Sequence, residues 1–313
     1  MATATAPGAV RRRRPWLRIF ISGLGLWVLT VVVTFVTGNP NLVPTLVLLG
    51  SFLVPVTFVA WAFERRDTGE ITAELILNTF ITGGVLGVLA ASLLESYLLH
   101  PSPGLFLGVG LIEEGVKLVA LAWLSRRLRV KSIRDGMILG ASVGFGFAAF
   151  ESAGYAFTAL FTEHGLSLMQ VVQTEILRGL LAPVGHGLWT AILGGVLFSP
   201  STRDVYLISD RLVAAYLGVS LLHALWDSMH QIALVLTLLL TGTPWQYNLL
   251  SRGYLPQPTE TQVELSVFLD WAGLMLVSGI GIIWLLVLWH RAPRARPPFA
   301  AWRVPTGRPA AAL

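Results

Sequence analysis

The sequence predicts an all-α membrane protein, a polytopic bundle of about eight transmembrane helices with both termini in the cytoplasm. Three observations lead to this fold class. Of the 313 residues, 54% are hydrophobic and only 12% are charged, whereas soluble domains carry about 25% charged residues. Apolar runs of membrane-spanning length recur along nearly the whole chain. Basic residues concentrate in alternate loops between these runs.

Eight segments have the roughly 20 apolar residues that a helix needs to cross a bilayer. The first follows four consecutive arginines, and we expect it to stay uncleaved because its apolar run exceeds the core of a signal peptide. Together the spans form one transmembrane unit, residues 16–290, between a basic N-terminal segment, 1–15, and a basic, Pro-rich tail, 291–313. The predicted spans are residues 16–37, 42–63, 72–98, 104–124, 134–161, 176–198, 212–240 and 265–290.

The distribution of basic residues predicts the orientation. With a cytoplasmic N-terminus, 19 of the 22 Lys and Arg residues lie on the cytoplasmic side, and Arg252 alone falls in an outer loop. Cytoplasmic loops of membrane proteins carry this excess of positive charge. The net charge of +5 therefore reflects orientation, and no nucleic-acid partner is expected. We predict a multi-pass protein of the plasma (cytoplasmic) membrane, in direct contact with the lipid bilayer.

An ionisable motif interrupts the fourth span. Residues 111–117 read LIEEGVK, so Glu113, Glu114 and Lys117 lie near the middle of a predicted transmembrane helix. Each such charge costs about 2.5–3.5 kcal/mol at the bilayer centre on insertion scales, which indicates a functional site. Lys117 can pair with Glu113 at i+4 or with Glu114 at i+3. Pairing with one carboxylate leaves the other in need of a further partner.

Three further spans carry polar side chains at a comparable predicted depth. Glu151 lies in the fifth span, His186 in the sixth, and His223 and Asp227 one turn apart in the seventh. We expect them to converge with Glu113 on one interior site. A single buried histidine is typical of an interhelical hydrogen bond. An aspartate on the same helix face, however, can fix the tautomer of a histidine in a functional site.

Other polar residues in the spans have simpler interpretations. Thr190 and His230 are interpreted as packing or hydrogen-bonding groups. Glu175 and Arg178 are interpreted as an i,i+3 pair at the outer edge of the sixth span. An orientation of Arg178 toward the interior site is the alternative.

The candidate residues suit the activation of water. A carboxylate in a low-dielectric site can accept a proton from water, and a neighbouring His or Lys can stabilise an oxyanion. Glu and His are also ligands for a divalent metal such as zinc, and the residues leave the need for a metal open. The chain has no Cys, which excludes a thiol nucleophile and thiolate metal sites. The zinc-protease motif HExxH is also absent.

These motifs resemble those of the PrsW-type intramembrane proteases. EEGVK at 113–117 resembles the EExxK motif, and FAAFE at 147–151 resembles FxxxE. HGLWT at 186–190 is similar to the next histidine segment, and HALWD at 223–227 resembles HxxxD. They occur in the family's order within residues 104–230. The family is distantly similar to the type II CAAX prenyl endopeptidases, from whose motifs this sequence departs.

The resemblance implies an endopeptidase that hydrolyses a peptide bond in a membrane-anchored protein, such as an anti-sigma-factor-like regulator. It implies Glu113 and Glu114 as the water-activating pair. The remaining catalytic candidates are Lys117, Glu151, His186, His223 and Asp227. If a metal such as zinc takes part, its expected ligands are Glu113, Glu114, His186 and His223.

Two alternatives from other functional classes stay open. A proton- or ion-coupled transporter also places Glu, His and Asp inside the membrane, and internal repeats and broken helices would favour it. The two halves of the sequence show no convincing similarity. A non-catalytic membrane scaffold would keep the shape of the site without hydrolysis. The sequence does not specify the oligomeric state.

Overall fold

A computed structural model describes residues 14–202 and 205–293 of the chain. Most of the predicted N-terminal segment and of the tail lies outside the described residues, so the three-part division stays a prediction. The described part confirms the all-α fold class. Its helices are α1 (Pro15–Thr37), α2 (Val43–Phe63), α3 (Ala73–Leu98), α4 (Leu105–Leu124), α5 (Ile133–Ala159), α6 (Leu168–Leu181), α7 (His186–Phe198), α8 (Asp210–Thr241), α9 (Pro244–Ser251) and α10 (Glu260–Arg291).

Short elements connect some of these helices. One-turn 3₁₀ helices lie at Pro40–Leu42 and Ala182–Val184. Two-residue strands, β1 (Phe161–Thr162) and β2 (Gly165–Leu166), pair antiparallel between α5 and α6. The segment that follows α8 contains α9, whose first turn is closed by a capping box between Thr243 and Gln246.

Seven segments of the described chain are long and apolar enough to cross a membrane. The remaining predicted span, the fourth, coincides with α4, a continuous helix of 20 residues that includes three ionisable side chains. The chain is therefore an integral, multi-pass membrane protein. The orientation of its termini stays a prediction.

The predicted sixth span, 176–198, is wrong as a single helix. Its helical part begins earlier, at Leu168, and is interrupted between α6 and α7. Pro183 lies in the interrupting 3₁₀ turn, where its ring and missing N–H oppose a continuous α-helix. Gly185 then leaves helical geometry, with φ −106° and ψ −129°. The interruption places His186 at the first residue of a new helix rather than in the middle of a span.

Helix α5 lies at the centre of the bundle, in contact with α2, α3, α6 and α7. Its glycines at 136, 140 and 144, spaced four residues apart, form a stripe of small residues on one helix face. A Cβ atom at each of them would overlap a backbone carbonyl oxygen of α7, those of Gly194, Thr190 and His186 in turn. The stripe therefore lets the two backbones touch. This contact determines how far the side chains at the start of α7 reach into the bundle.

We expect the substitution Gly140→Ala to lower the free energy of unfolding by about 1–3 kcal/mol, the usual cost of overpacking. The new methyl group would overlap the carbonyl oxygen of Thr190. Gly154→Ala is the matched control, because the same helix has open space there. It should be neutral or more stable by up to about 1 kcal/mol through helix propensity. Unfolding in mixed detergent micelles measures both variants, and equal stability would contradict the close helix crossing.

Candidate active site

Side chains from four helices meet in one group inside the bundle, here called the polar cluster. It draws on α4, α5, α7 and α8. The structure brings together all seven residues singled out from the sequence, although their catalytic roles stay predictions. They are Glu113, Glu114, Lys117, Glu151, His186, His223 and Asp227.

Lys117 contacts three other members of the polar cluster. Its Nζ atom lies 3.1 Å from Glu113 Oε2, 2.7 Å from Glu114 Oε1 and 2.8 Å from His186 Nδ1. An ammonium has three N–H donors, so each finds one acceptor. The side chain is fully buried, and Nζ lies 4.0 Å from the centre of the Phe147 ring. Lys117 therefore pairs with both carboxylates, and neither of the two pairings considered from the sequence excludes the other.

The adjacent carboxylates differ in how they are held. Glu114 is 0% exposed. Its Oε1 contacts Lys117 and lies 3.0 Å from His223 Nδ1, and its Oε2 accepts a hydrogen bond from Thr190 Oγ1 at 3.4 Å. Glu113 is 6% exposed and accepts from Lys117 through Oε2. Within the described part of the chain, no hydrogen bond reaches Glu113 Oε1. Glu114 is thus fixed on both oxygens and Glu113 on one.

Carboxylates orient the two histidines of the cluster. His186 Nε2 lies 3.1 Å from Glu151 Oε2. Because Lys117 donates to Nδ1 of the same ring, we infer that the ring proton of a neutral His186 is on Nε2. His223 lies between two acids, with Nδ1 near Glu114 and Nε2 3.2 Å from Asp227 Oδ2. Each ring therefore has a fixed orientation relative to the carboxylates.

Aromatic side chains enclose the histidines. Trp189 stacks on His223 with ring centroids 4.6 Å apart and meets the edge of His186 at 5.5 Å. Phe147 lies 5.1 Å from the His186 ring, and Trp226 packs on Trp189. These rings exclude water and lower the local dielectric, which strengthens the charged contacts. Sequence reasoning missed this role, although each aromatic residue lies inside a motif.

The predicted ion pair between Glu175 and Arg178 is wrong, because each side chain has a different partner. Arg178 forms an ion pair with Glu151 and donates to Ser152 Oγ at 2.7 Å. Glu175 instead accepts a hydrogen bond from Trp27 Nε1 at 2.7 Å. No ion pair joins Glu175 to Arg178 among residues 14–202 and 205–293. The alternative considered from the sequence, with Arg178 directed toward the interior site, matches the structure.

Of the two residues interpreted from the sequence as packing or hydrogen-bonding groups, Thr190 belongs to the polar cluster and His230 does not. Thr190, interpreted as a packing or hydrogen-bonding group, donates to Glu114 and joins the polar cluster. His230 lies outside it, exposed and 3.5 Å from Asp270 Oδ2. Spacing along the helix did not predict this difference between Thr190 and His230. His230 follows Asp227 by nearly one turn but points away from the bundle interior.

Within the described part of the chain, one group of side chains could hold a metal ion: Glu113, His186 and His223. Glu113 Oε2 lies 3.7 Å from both His186 Nδ1 and His223 Nε2. Two His and one Glu form a common catalytic zinc set that leaves a position for water. The other nitrogen of each ring contacts a carboxylate, from Glu151 or Glu114, as is usual for metal-binding histidines. The donor set fits, but Glu114, the fourth ligand expected from the sequence, lies outside it.

Comparisons with known proteins agree with the motifs. A family model described as "PrsW family intramembrane metalloprotease" matches residues 72–250. Protease PrsW of Halalkalibacterium halodurans is 24% identical over 189 residues, which cover 58% of this chain and 82% of the relative. Protease PrsW of Shouchella clausii is 26% identical over 185 residues, 57% of this chain and 80% of the relative. No solved structure shows significant similarity.

We expect Lys117→Met to destabilise the protein by about 3–5 kcal/mol, because it leaves buried carboxylates without their cation. The methionine keeps most of the side-chain length. The double variant Glu114→Gln/Lys117→Met removes one of the two carboxylates as well and should recover part of the loss. Unfolding of the single and double variants in mixed micelles gives the coupling energy. Additive losses would contradict a charge network centred on Lys117.

Proposed function

Because the chain belongs to the PrsW family of intramembrane metalloproteases, we propose that the polar cluster is its active site and that Glu113 accepts the proton of the attacking water. The chain is a membrane hydrolase that acts on protein substrates. The single observation that carries the proposal is the contrast between two neighbouring carboxylates. Glu114 is held on both oxygens by Lys117, His223 and Thr190, whereas no hydrogen bond from residues 14–202 or 205–293 reaches Glu113 Oε1.

These contacts suit a simple division of roles. The oxygen of water attacks the carbonyl carbon of the peptide bond as one water proton passes to Glu113. The same carboxyl then returns the proton to the leaving amide nitrogen as the C–N bond breaks. Lys117 and His223 lie 3.1 Å and 3.7 Å from Glu113 Oε2. Either group, on turning one N–H from its present acceptor to the tetrahedral intermediate, would stabilise the oxyanion there. Glu114 holds both of them in place.

Asp227 and Glu151 complete the proposed site from its more open side. Their side chains are 28% and 21% exposed, more than those of the other cluster residues. Asp227 orients His223 through Nε2, and Glu151 orients His186. We infer that water and substrate reach Glu113 from this side.

The family's description as metalloproteases is compatible with Glu113, His186 and His223 as ligands. We infer that these residues hold a divalent metal such as zinc. A zinc ion there would supply a more acidic water and a polarised carbonyl group. The Lys117 ammonium contacts two of the three donor groups, those of Glu113 and His186. The ammonium and a metal therefore compete for the same lone pairs.

The location of the cluster restricts the substrate class. All seven residues lie on helices inside the bundle rather than on a loop, so the scissile bond must reach them within or beside the membrane. We propose a membrane-anchored protein substrate, such as an anti-sigma-factor-like regulator, in the plasma membrane. The transporter alternative predicted broken helices, and the interrupted span of α6 and α7 is one. The protease family and the water-activating geometry favour hydrolysis over transport.

We expect Glu113→Gln to reduce cleavage by about 10²–10⁴-fold, the usual contribution of a general base, with little change in stability. Glu114→Gln should also lower activity, and in addition it should destabilise the protein by several kcal/mol. Glu74→Gln, an exposed carboxylate on α3, is the matched control and should behave as the wild type. Mass spectrometry of new N-termini in membranes that carry each variant measures cleavage.

Wild-type cleavage by Glu113→Gln would overturn the proposed function. If Glu113→Gln fails to cleave but Glu114→Gln remains both active and stable, the assignment of roles to the two carboxylates is reversed. Solute uptake by proteoliposomes of the wild type, without any proteolysis, would instead support the transporter.

The metal assignment makes a separate prediction. Purified protein should bind close to one zinc ion, and His186→Ala and His223→Ala should each lower zinc affinity strongly. His164→Ala, which changes an exposed histidine beside β2, is the control. Lys117→Met should raise zinc affinity, because it removes the competing ammonium. Elemental analysis and zinc titration measure these effects, and equal zinc content in all four variants would contradict the ligand set.

A further inference from the structure

Arg178 contacts the polar cluster although it belongs to none of the four motifs. It lies in the last turn of α6, before the interruption that separates α6 from α7. Its guanidinium makes two contacts on α5, an ion pair through Nη2 with Glu151 Oε2 and a hydrogen bond from Nε to Ser152 Oγ at 2.7 Å. The Tyr155 ring centre lies 4.3 Å from its Cζ atom. Three residues of one helix therefore hold a single side chain.

Glu151 Oε2 is contacted from two directions. Arg178 approaches from the end of α6, and His186 Nε2 lies 3.1 Å away at the start of α7. The two halves of the interrupted span thus meet on one carboxylate oxygen.

The contact with Glu151 determines which nitrogen of His186 faces the rest of the site. With Nε2 directed at Glu151, Nδ1 lies 2.8 Å from Lys117 Nζ and 3.7 Å from Glu113 Oε2. Arg178 supplies Glu151 with a charge-assisted partner of fixed geometry. Without that partner, Glu151 is free to turn away from His186, and the Nε2–H of the ring loses the acceptor that orients it.

We propose that Arg178 is a positioning residue for the proteolytic reaction, which holds Glu151 and through it the orientation of His186. This inference rests on the proposed function of the polar cluster. The planar guanidinium directs two donors at α5, whereas lysine offers a point charge. A lysine at position 178 therefore replaces the charge but not the two-point contact.

The test compares Arg178→Ala and Arg178→Lys with the wild type in proteoliposomes, on one membrane protein that the wild type cleaves. We expect kcat of the alanine variant to fall about 10- to 100-fold, the usual effect of losing an orienting partner, with KM nearly unchanged. The lysine variant should be intermediate. Millimolar guanidinium should restore part of the activity of Arg178→Ala and leave the wild type unchanged, because the Arg178 side chain is 26% exposed. Arg252→Ala, in the segment after α9, is the control.

A spectroscopic measurement separates positioning from a purely structural role. In protein labelled with ¹⁵N-histidine, the Nε2–H of His186 should show a hydrogen bond to Glu151 in the wild type and lose it in Arg178→Ala, whereas Nδ1, which Lys117 contacts, stays unprotonated in both. The variant His186→Gln assigns the signals. Unchanged His186 signals, or a loss of activity that neither lysine nor guanidinium restores, would overturn the proposal, and so would wild-type kcat in Arg178→Ala. If Arg178→Ala is active and Glu113→Gln is inactive in the same assay, only the proposal for Arg178 fails and the proposed function stands. If Glu113→Gln is active, the proposed function fails, and the proposal for Arg178 fails with it.

Discussion

The burial of one ammonium group, that of Lys117, is the constraint on which the rest of the site depends. A cation without solvent is tolerated in a membrane bundle only where acceptors surround it. Lys117 is surrounded by Glu113 and Glu114 of α4 and His186 of α7, so acceptors from two helices are bound to one atom. Because Lys117 also lies against Phe147 on α5 and Glu114 contacts His223 on α8, Lys117 and its partners connect four helices.

The charges of the site do not balance with its permanent cations alone. Four carboxylates, those of Glu113, Glu114, Glu151 and Asp227, face two permanent cations, Lys117 and Arg178. A divalent metal ion or two protonated histidines would supply the difference. The same excess of negative charge is therefore compatible with activation of water by Glu113 alone and with activation by a bound metal ion. It also explains why the metal donors and the Lys117 contacts overlap.

Backbone packing makes these short contacts geometrically possible. The glycine stripe on α5 lets α7 approach until backbone atoms touch, and the interruption after α6 turns His186 toward Glu151. Residues 72–250 carry this arrangement, whereas α1 and α2 precede them. A hydrogen bond from Trp27 to the buried Glu175 nevertheless connects α1 to α6. Helix α1 thus contacts the helix that carries Arg178.

The sequence by itself determined the fold class, the positions of the spans other than the sixth, and the seven members of the polar cluster. Hydropathy and charge bias depend on composition along the chain, and i,i+3 and i,i+4 spacing places residues on one helix face. Only the tertiary structure decided that Glu113 is the less enclosed carboxylate, that Arg178 pairs with Glu151 and that a turn precedes His186. Each of these depends on the rotation and offset of one helix relative to another, or on a local break between helices. Spacing within a single helix carries no information about either.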